Sequence, residues 1–188
     1  MDLKAGKRSA LEGLFRRYHK DLFRYALKFC GDRDLAEDHI QSLFLKIWDR
    51  KANLGEVKAV KTYLWTALRR SLMASLDEQK KSWQRYMNQN EGDPFFLSVE
   101  EVIIKNEHKE IQREKLEKAI AMLSPRQREV VYLRFYEGMS YQEIEEIMAV
   151  NYQVARNYLH KGLQRLRETL SSGSQVLLSL LFGILHFM

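Results

Sequence analysis

The sequence predicts an all-α protein of two small helical domains joined by a flexible acidic linker, with a helix-turn-helix in the C-terminal domain. Glycine and proline are scarce, with nine and two among 188 residues, and apolar residues recur every three to four positions over long stretches, as in amphipathic helices. Residues 88–101 carry four acids and no base around Gly92-Asp93-Pro94, which breaks regular structure. We therefore predict a first domain, a linker, a second domain and an apolar tail at residues 8–87, 88–108, 109–171 and 172–188.

Three helices are expected in the first domain. Apolar residues recur from Leu11 to Phe29, and Gly31 follows as a helix end. Asp34, three residues before a glutamate, is the expected cap of a second helix that continues to Trp48. A third apolar stripe occupies residues 57–76. Three amphipathic helices of this length make a compact module.

The second domain has clear helix boundaries in its sequence. Ser124 to Gln127 combine an N-cap serine, a proline at the first helical position and a capping-box glutamine, and this helix ends at Gly138. Residues 140–143 form a second capping box, which opens a short helix ending near Met148. A turn at residues 149–150 leads to a last helix capped by Asn151. The pattern predicts a helix-turn-helix.

The charge distribution favours DNA as the partner of this motif. Lys and Arg number 31 against 25 Asp and Glu, giving a net charge of +6. Residues 140–150 hold three acids and no base, whereas residues 151–170 hold four bases and one acid. A recognition helix enters the major groove with a polar, basic face, although a solvated helix in an ordinary bundle has a similar pattern. Opposite the apolar stripe lie Gln153, Arg156, Asn157, His160 and Gln164, flanked by Lys161 and Arg165.

The segment from Ser124 to Arg167 (SPRQREVVYLRFYEGMSYQEIEEIMAVNYQVARNYLHKGLQRLR) resembles the promoter-recognition domain of extracytoplasmic-function sigma factors, in the style common among Bacteroidetes. In that family this domain reads the minus-35 promoter element. Three positions differ from the usual family residues, namely Glu145, Ala149 and Ala155. The resemblance, with the basic flank above, implies minus-35 contacts by Tyr152, Gln153, Arg156, Asn157, His160, Lys161 and Arg165.

A second surface is expected on the second helix of the first domain. Asp38, Gln41, Leu45 and Trp48 lie on the face away from its apolar stripe, as in a protein-binding face. The alternative is that Trp48 caps the small core. The segment DLAEDHIQSLFLKIW, which ends at Trp48, looks like the polymerase-binding helix of the same family. The resemblance implies contacts with core RNA polymerase by Asp38, Gln41, Leu45, Lys46 and Trp48.

The third helix and its extension to Tyr86 mix bases with aromatic rings, a composition that suits single-stranded DNA. The alternative is that the rings form core while the bases are solvated, and the sequence weighs the two evenly for a single residue. The family places its minus-10 strand-opening surface here, with residues 53–61 as the loop that holds a flipped base. The resemblance implies minus-10 contacts by Asn53, Lys58, Lys61, Tyr63, Trp65, Arg69 and Arg70.

Three features fall outside these motifs. Residues 176–188 are apolar but too short for a membrane span of about 20 residues, and they pack on a protein surface, lie at a membrane interface or stay unstructured. Phe95 and Phe96 of the linker pack either on a domain or on a partner. Cys30 lies among apolar helix positions and is expected to be a small buried hydrophobe.

The sequence therefore predicts a cytoplasmic alternative sigma factor that binds core RNA polymerase and promoter DNA, both as duplex and as melted strand. The resemblance also implies an anti-sigma factor. We expect no cofactor, no small-molecule substrate and no enzymatic activity, because the histidines lack metal-ligand spacing, no glycine-rich phosphate loop occurs and nothing pairs with Cys30 as a base. The alternative is a helix-turn-helix repressor or activator that acts without being a polymerase subunit.

Overall fold

The computed structural model describes residues 3–55, 59–84, 95 and 118–170, and these residues contain helices and no strand. The helices are α1 (Arg8–Cys30), α2 (Arg33–Asp49), a 3-10 turn (Lys51–Asn53), α3 (Val60–Gln84), α4 (Pro125–Val131) with a π-helical turn (Tyr132–Tyr136), α5 (Tyr141–Met148) and α6 (Tyr152–Leu170). The all-α fold class is confirmed. In the part of the chain described, no helix combines the length and apolar character that a membrane span requires.

The chain divides into two compact units. The first contains α1, α2, α3 and residues 146–149 at the end of α5, and the second contains Phe95, α4, α6 and the start of α5. The predicted linker and the boundaries of the predicted domains lie almost wholly outside the described residues, so they stay predictions, as does the fate of the apolar tail.

The first unit is a three-helix module with one apolar core. Leu22, Tyr25 and Phe29 of α1 are buried, as are Ile40 and Phe44 of α2 and Leu64, Leu68 and Leu72 of α3. Phe15 contacts Phe44 edge-on at 5.1 Å between ring centroids. His39 Nδ1 lies 2.9 Å from Ser71 Oγ and ties α2 to α3. Partial burial lowers the pKa of His39, so its neutral form is favoured at this contact.

The connection between α1 and α2 confirms one predicted helix boundary and corrects another. Gly31 ends α1 in the left-handed conformation, with a φ of 64°. The N-cap of α2 is Asp32 and not Asp34, because Asp32 has extended backbone and its Oδ1 accepts hydrogen bonds from the N–H groups of Asp34 (2.8 Å) and Leu35 (3.0 Å). Asp34 already lies in the first helical turn, where its negative charge interacts favourably with the positive end of the helix dipole.

The structure also bears on the predicted third helix and on the expected burial of Cys30. Helix α3 runs from Val60 to Gln84, so it includes most of the predicted extension beyond residue 76, where polar helix formers need no apolar period. Cys30 is only half-buried. Burial, reinforced by Asp32, raises the pKa of its thiol to about 11, so the neutral thiol predominates near pH 7.

Phe95, which the sequence placed either on a domain or on a partner, packs in the second unit. Its side chain is buried, and its ring contacts Tyr132 edge-on at 5.9 Å between centroids. The guanidinium of Arg128 donates one hydrogen bond to the carbonyl of Phe95 and another to the carbonyl of Leu123, both at 3.0 Å. Phe95 therefore belongs to the core of the second unit, while Phe96 lies outside the described residues.

Candidate functional site

The helix-turn-helix is built from local hydrogen bonds that the sequence predicts. Ser140 and Glu143 form the expected capping box, in which the Ser140 N–H donates to Glu143 Oε2 at 2.8 Å and the Glu143 N–H donates to Ser140 Oγ at 3.3 Å. Asn151 caps α6, with its Oδ1 accepting from the Val154 N–H at 2.9 Å. These caps satisfy backbone donors at the start of both helices and fix where each begins.

The turn between α5 and α6 contains a strained residue. Ala149 has a φ of 52°, in the left-handed region that favours glycine. The Val150 N–H donates to the Glu145 carbonyl at 3.2 Å and closes the turn. Ala149 also differs from the residue usual in the resembling family, so this chain keeps the turn geometry despite a side chain that disfavours it.

Ala149→Gly is expected to raise the free energy of unfolding of the protein by about 1 kcal/mol, because glycine adopts a positive φ without steric cost. Urea denaturation of the full chain measures the change. Ala74→Gly is the matched control, since Ala74 is exposed within α3 and the same substitution there is expected to lower stability by about 1 kcal/mol. A loss of stability with Ala149→Gly would contradict the interpretation of the turn.

Helix α6 packs on α4 through a narrow stripe. Ala155, Leu159, Gly162 and Leu166 are buried, and they recur at helical spacing. A Cβ at Gly162 would meet Gln127 Cβ and Val131 Cγ2, each at 3.5 Å. Gly162 therefore lies in the interface between α4 and α6, at a distance where a Cβ would make ordinary van der Waals contact.

The opposite side of α6 carries the predicted minus-35 residues. Gln153, Asn157 and His160 fall within about 60° around the helix axis, on the side away from the buried stripe. Gln153 Nε2 donates to Asn157 Oδ1 at 3.3 Å, so these two amide side chains contact each other in the free protein. The side chains of this surface are all exposed, namely those of Tyr152, Gln153, Arg156, Asn157, His160 and Lys161.

Arg165 stands apart from this group. It lies about 120° around α6 from Gln153, and its Nη1 donates to Gln127 Oε1 of α4 at 2.9 Å. Its side chain is exposed, but the guanidinium is engaged with the supporting helix. The sequence grouped Arg165 with the DNA contacts because periodicity alone does not show this long-range hydrogen bond.

On α2, the structure brings together four of the five predicted polymerase contacts. Asp38, Gln41 and Leu45 are exposed, and Leu45 is 62% exposed. Trp48 continues the same face but is half-buried beneath Lys51, whose Nζ lies 4.3 Å from the ring centroid and donates to the Trp48 carbonyl at 3.2 Å. The fifth predicted contact, Lys46, is exposed about 100° around the helix from Leu45 and so faces another direction.

On α3, the structure corrects two predicted minus-10 contacts. Trp65 is 0% exposed, with the ring of Tyr18 edge-on at 6.2 Å and Lys61 Nζ 5.2 Å from the Trp65 centroid. Its ring is therefore core and has no free face for a base. Arg69 is 5% exposed and lies on the same buried side as Thr62 and Thr66, so it is not open to a phosphate.

The other predicted minus-10 residues have different placements. Tyr63 is half-exposed and Arg70 is exposed, and seven residues separate them, so they share one face of α3. Lys61 is half-buried on the Trp65 side of the helix and does not belong to that face. Asn53 is exposed at the end of the 3-10 turn, and Lys58 lies outside the described residues.

Comparisons with known proteins assign both units to one family. Residues 14–82 match the model of sigma-70 region 2, and residues 113–166 match that of sigma-70 region 4. The chain is 26% identical over 172 residues to the ECF RNA polymerase sigma factor SigL of Mycobacterium tuberculosis, covering 88% of this chain and 92% of SigL. It is 22% identical over 170 residues to the RNA polymerase sigma factor YlaC of Bacillus subtilis, covering 89% and 96% respectively. The chain belongs to the extracytoplasmic-function sigma factors.

Solved structures support the fold of this sigma factor. The sigma factor RpoE of Bartonella quintana, solved with the anti-sigma factor NepR, aligns with a TM-score of 0.62 at 20% identity, covering 87% of this chain and 98% of that chain. CnrH, solved with the cytosolic domain of CnrY, aligns with a TM-score of 0.59 at 14% identity, covering 92% and 95% respectively. Helices α1 to α3 form region 2 of the sigma factor, and α4 to α6 form most of region 4.

Sequence reasoning missed two contacts that support these surfaces. Lys51 covers Trp48, and its only sequence signal was a base three residues after a tryptophan. Gln127 was identified as a capping residue, and the cap is confirmed, but its bond to Arg165 joins positions 38 residues apart and had no local signal.

Proposed function

We propose that this sigma factor uses three surfaces of the described residues to start transcription. Asp38, Gln41, Leu45 and Trp48 on α2 bind core RNA polymerase, with Lys46 at the margin. The exposed face of α6 reads the minus-35 element. The minus-10 strand is held by Tyr63 and Arg70 on one face of α3, together with Asn53. Lys61, on another side of α3, and Lys58, outside the described residues, are further contacts in this proposal.

The observation that carries this proposal is a chain with two exposed surfaces, the recognition face of α6 and the face of α2 that contains Leu45 and Trp48. A helix-turn-helix repressor needs the first feature only. Leu45 is 62% exposed on the same face of α2 as Asp38, Gln41 and the partly buried Trp48, so two apolar side chains are available to a partner there. The matches to both sigma-70 regions favour the sigma factor over a regulator that acts without being a polymerase subunit.

The minus-35 chemistry follows from the side chains on α6. Amides such as Gln153 and Asn157 pair bidentately with adenine, and the guanidinium of Arg156 pairs with guanine. The hydrogen bond between Gln153 and Asn157 uses one of the two amide hydrogens of Gln153, so it aligns the two amides and leaves a donor that can bind a base. Lys161, at the flank, is placed to neutralise a phosphate.

An anti-sigma factor is a further partner in this proposal, and it acts by covering these surfaces until a signal releases them. The solved RpoE structure, which is a complex with an anti-sigma factor, supports this partner.

The site of action is the cytoplasm, where core polymerase and promoter DNA meet. We also assign the chain to the Bacteroidetes-type subgroup, on the motif from Ser124 to Arg167. Sigma factors are initiation factors and not enzymes, and the proposal needs no cofactor or small-molecule substrate.

Directed transcription tests the function. The purified full chain is mixed with core polymerase and a promoter library, and the transcripts are sequenced. We expect transcripts that begin downstream of a shared pair of promoter elements and that are absent with core polymerase alone. Duplex binding without binding to core polymerase would instead support the repressor.

Arg156→Ala is expected to weaken recognition of the minus-35 element by about 1–3 kcal/mol, because a bidentate contact to a guanine would be lost. Competition between promoters with matched and substituted upstream elements measures the change. Arg167→Ala is the control, because Arg167 is exposed in the last turns of α6, beyond the half that enters the groove. Equal loss on every sequence would make Arg156 a phosphate contact.

A further inference from the structure

One buried side chain joins the two helices that define the recognition surface. Gln127 is 4% exposed, and its Oε1 accepts two hydrogen bonds. One comes from the Ser124 N–H at 3.0 Å and closes the capping box of α4. The other comes from Arg165 Nη1 of α6 at 2.9 Å. A single amide oxygen therefore caps the supporting helix and ties the recognition helix to it.

We propose that Gln127 and Arg165 form a brace that sets the angle of α6 in the major groove and so determines minus-35 specificity without contacting a base. The inference rests on the proposed function and deepens it. Both are positioning residues, and Arg165 moves from the predicted DNA contacts to this role.

The position of the brace along α6 determines how strongly it affects the base-reading residues. Helices α4 and α6 are in contact at Gly162, where an added Cβ would lie 3.5 Å from Gln127 Cβ. Arg165 is one turn beyond that contact, and Gln153 is nine residues before it, about 13.5 Å along the axis. A tilt of about 5° around Gly162 would move Gln153 by about 1 Å, enough to spoil a bidentate hydrogen bond to a base. Apolar packing along α6 is not directional, whereas the hydrogen bond at Arg165 is, so it restricts this tilt further.

The chemistry of the bond suits this role. A guanidinium donor makes a charge-assisted hydrogen bond, which is stronger than a neutral one. The acceptor is buried, so breaking the bond leaves Gln127 Oε1 in the helix interface with only the hydrogen bond from the Ser124 N–H. Arg165 also lies about 120° around α6 from Gln153, towards α4 and away from the base-reading side chains.

Four variants test the brace by the binding of the full chain, as holoenzyme, to promoters with matched and substituted minus-35 elements. Gln127→Met and Arg165→Met remove the acceptor and the donor, and each is expected to lower discrimination about tenfold. The double variant is expected to lose no more than either single one. Gln127→Glu keeps an acceptor oxygen and is expected to discriminate like the parent protein. The salt dependence of binding is expected to stay unchanged, because no phosphate contact is removed.

Ser124→Ala is the matched control. It removes the cap hydroxyl that accepts from the Gln127 N–H at 3.3 Å, but it leaves the bond between Gln127 and Arg165 in place. We expect lower thermal stability and unchanged discrimination. Arg165 is exposed, so Arg165→Met is expected to keep the fold. Its discrimination between promoters therefore tests the brace even if Gln127→Met does not fold.

Two results would overturn the brace. The first is uniform weakening on all promoters by Arg165→Met, with a salt slope reduced by about one, which identifies a phosphate contact. The second is full discrimination by both single variants. Either result leaves the proposed function intact as long as the parent protein discriminates, whereas a parent protein that fails to discriminate contradicts the proposed function itself.

Discussion

Replacing Trp65 with alanine is expected to lower the free energy of unfolding of the first unit by about 3–5 kcal/mol, the range for buried large aromatic side chains. Trp65 is fully buried, and Tyr18 packs edge-on against its ring at 6.2 Å. Truncation leaves a cavity between α1 and α3 that the helices fill only in part. Urea denaturation of the full chain, followed by circular dichroism, measures the loss.

Trp65→Phe separates the ring from the indole N–H. The N–H is buried with no hydrogen-bond partner among the residues described, so phenylalanine keeps most of the packing and removes an unsatisfied donor. We expect Trp65→Phe to lower the free energy of unfolding by about 1.5 kcal/mol or less.

Tyr63→Ala is the functional control. Tyr63 is half-exposed, so it is expected to impair promoter opening with little loss of stability. Normal stability with lost promoter opening in Trp65→Ala would restore Trp65 as a base-stacking residue.

Leu45→Asp is expected to weaken binding to core RNA polymerase by about 2–4 kcal/mol, the range of a central interface residue. Leu45 lies on one face of α2 with Asp38, Gln41 and Trp48, and it is 62% exposed. A carboxylate there would be desolvated in the interface without a designed partner. Titration of core polymerase with fluorescently labelled sigma factor measures the affinity.

Leu35→Asp is the matched control for this surface. Leu35 is 40% exposed on the same helix but lies about 80° around the axis from Leu45, outside the proposed face. We expect unchanged polymerase binding for Leu35→Asp and unchanged stability for both variants, within about 0.5 kcal/mol. Equal binding losses in the two variants would show that the polymerase-binding face of α2 also includes Leu35. Unchanged binding of Leu45→Asp would remove Leu45 from the interface.

Local interactions explain why so much of the fold was predictable. A capping side chain and the N–H that it accepts from are two or three residues apart, so Ser124, Ser140 and Asn151 mark their helices directly in the sequence. Gly31 marks the end of α1 in the same way. The wrongly predicted cap at Asp34 shows the limit, because Asp32 and Asp34 are both suitable capping residues and only the extended backbone at Asp32 selects between them.

The sequence by itself determined the all-α class, the helix-turn-helix and the exposed face of α6, since each depends on helical period or on neighbours along the chain. Tertiary structure alone decided which members of the aromatic and basic mixture on α3 are core. Trp65 is enclosed where α3 meets α1, whereas Tyr63 and Arg70 stay on the outer face. It also decided the role of Arg165, whose partner Gln127 is 38 residues away. Burial and long-range hydrogen bonds depend on which helices pack together, and a single amphipathic pattern is compatible with several such packings.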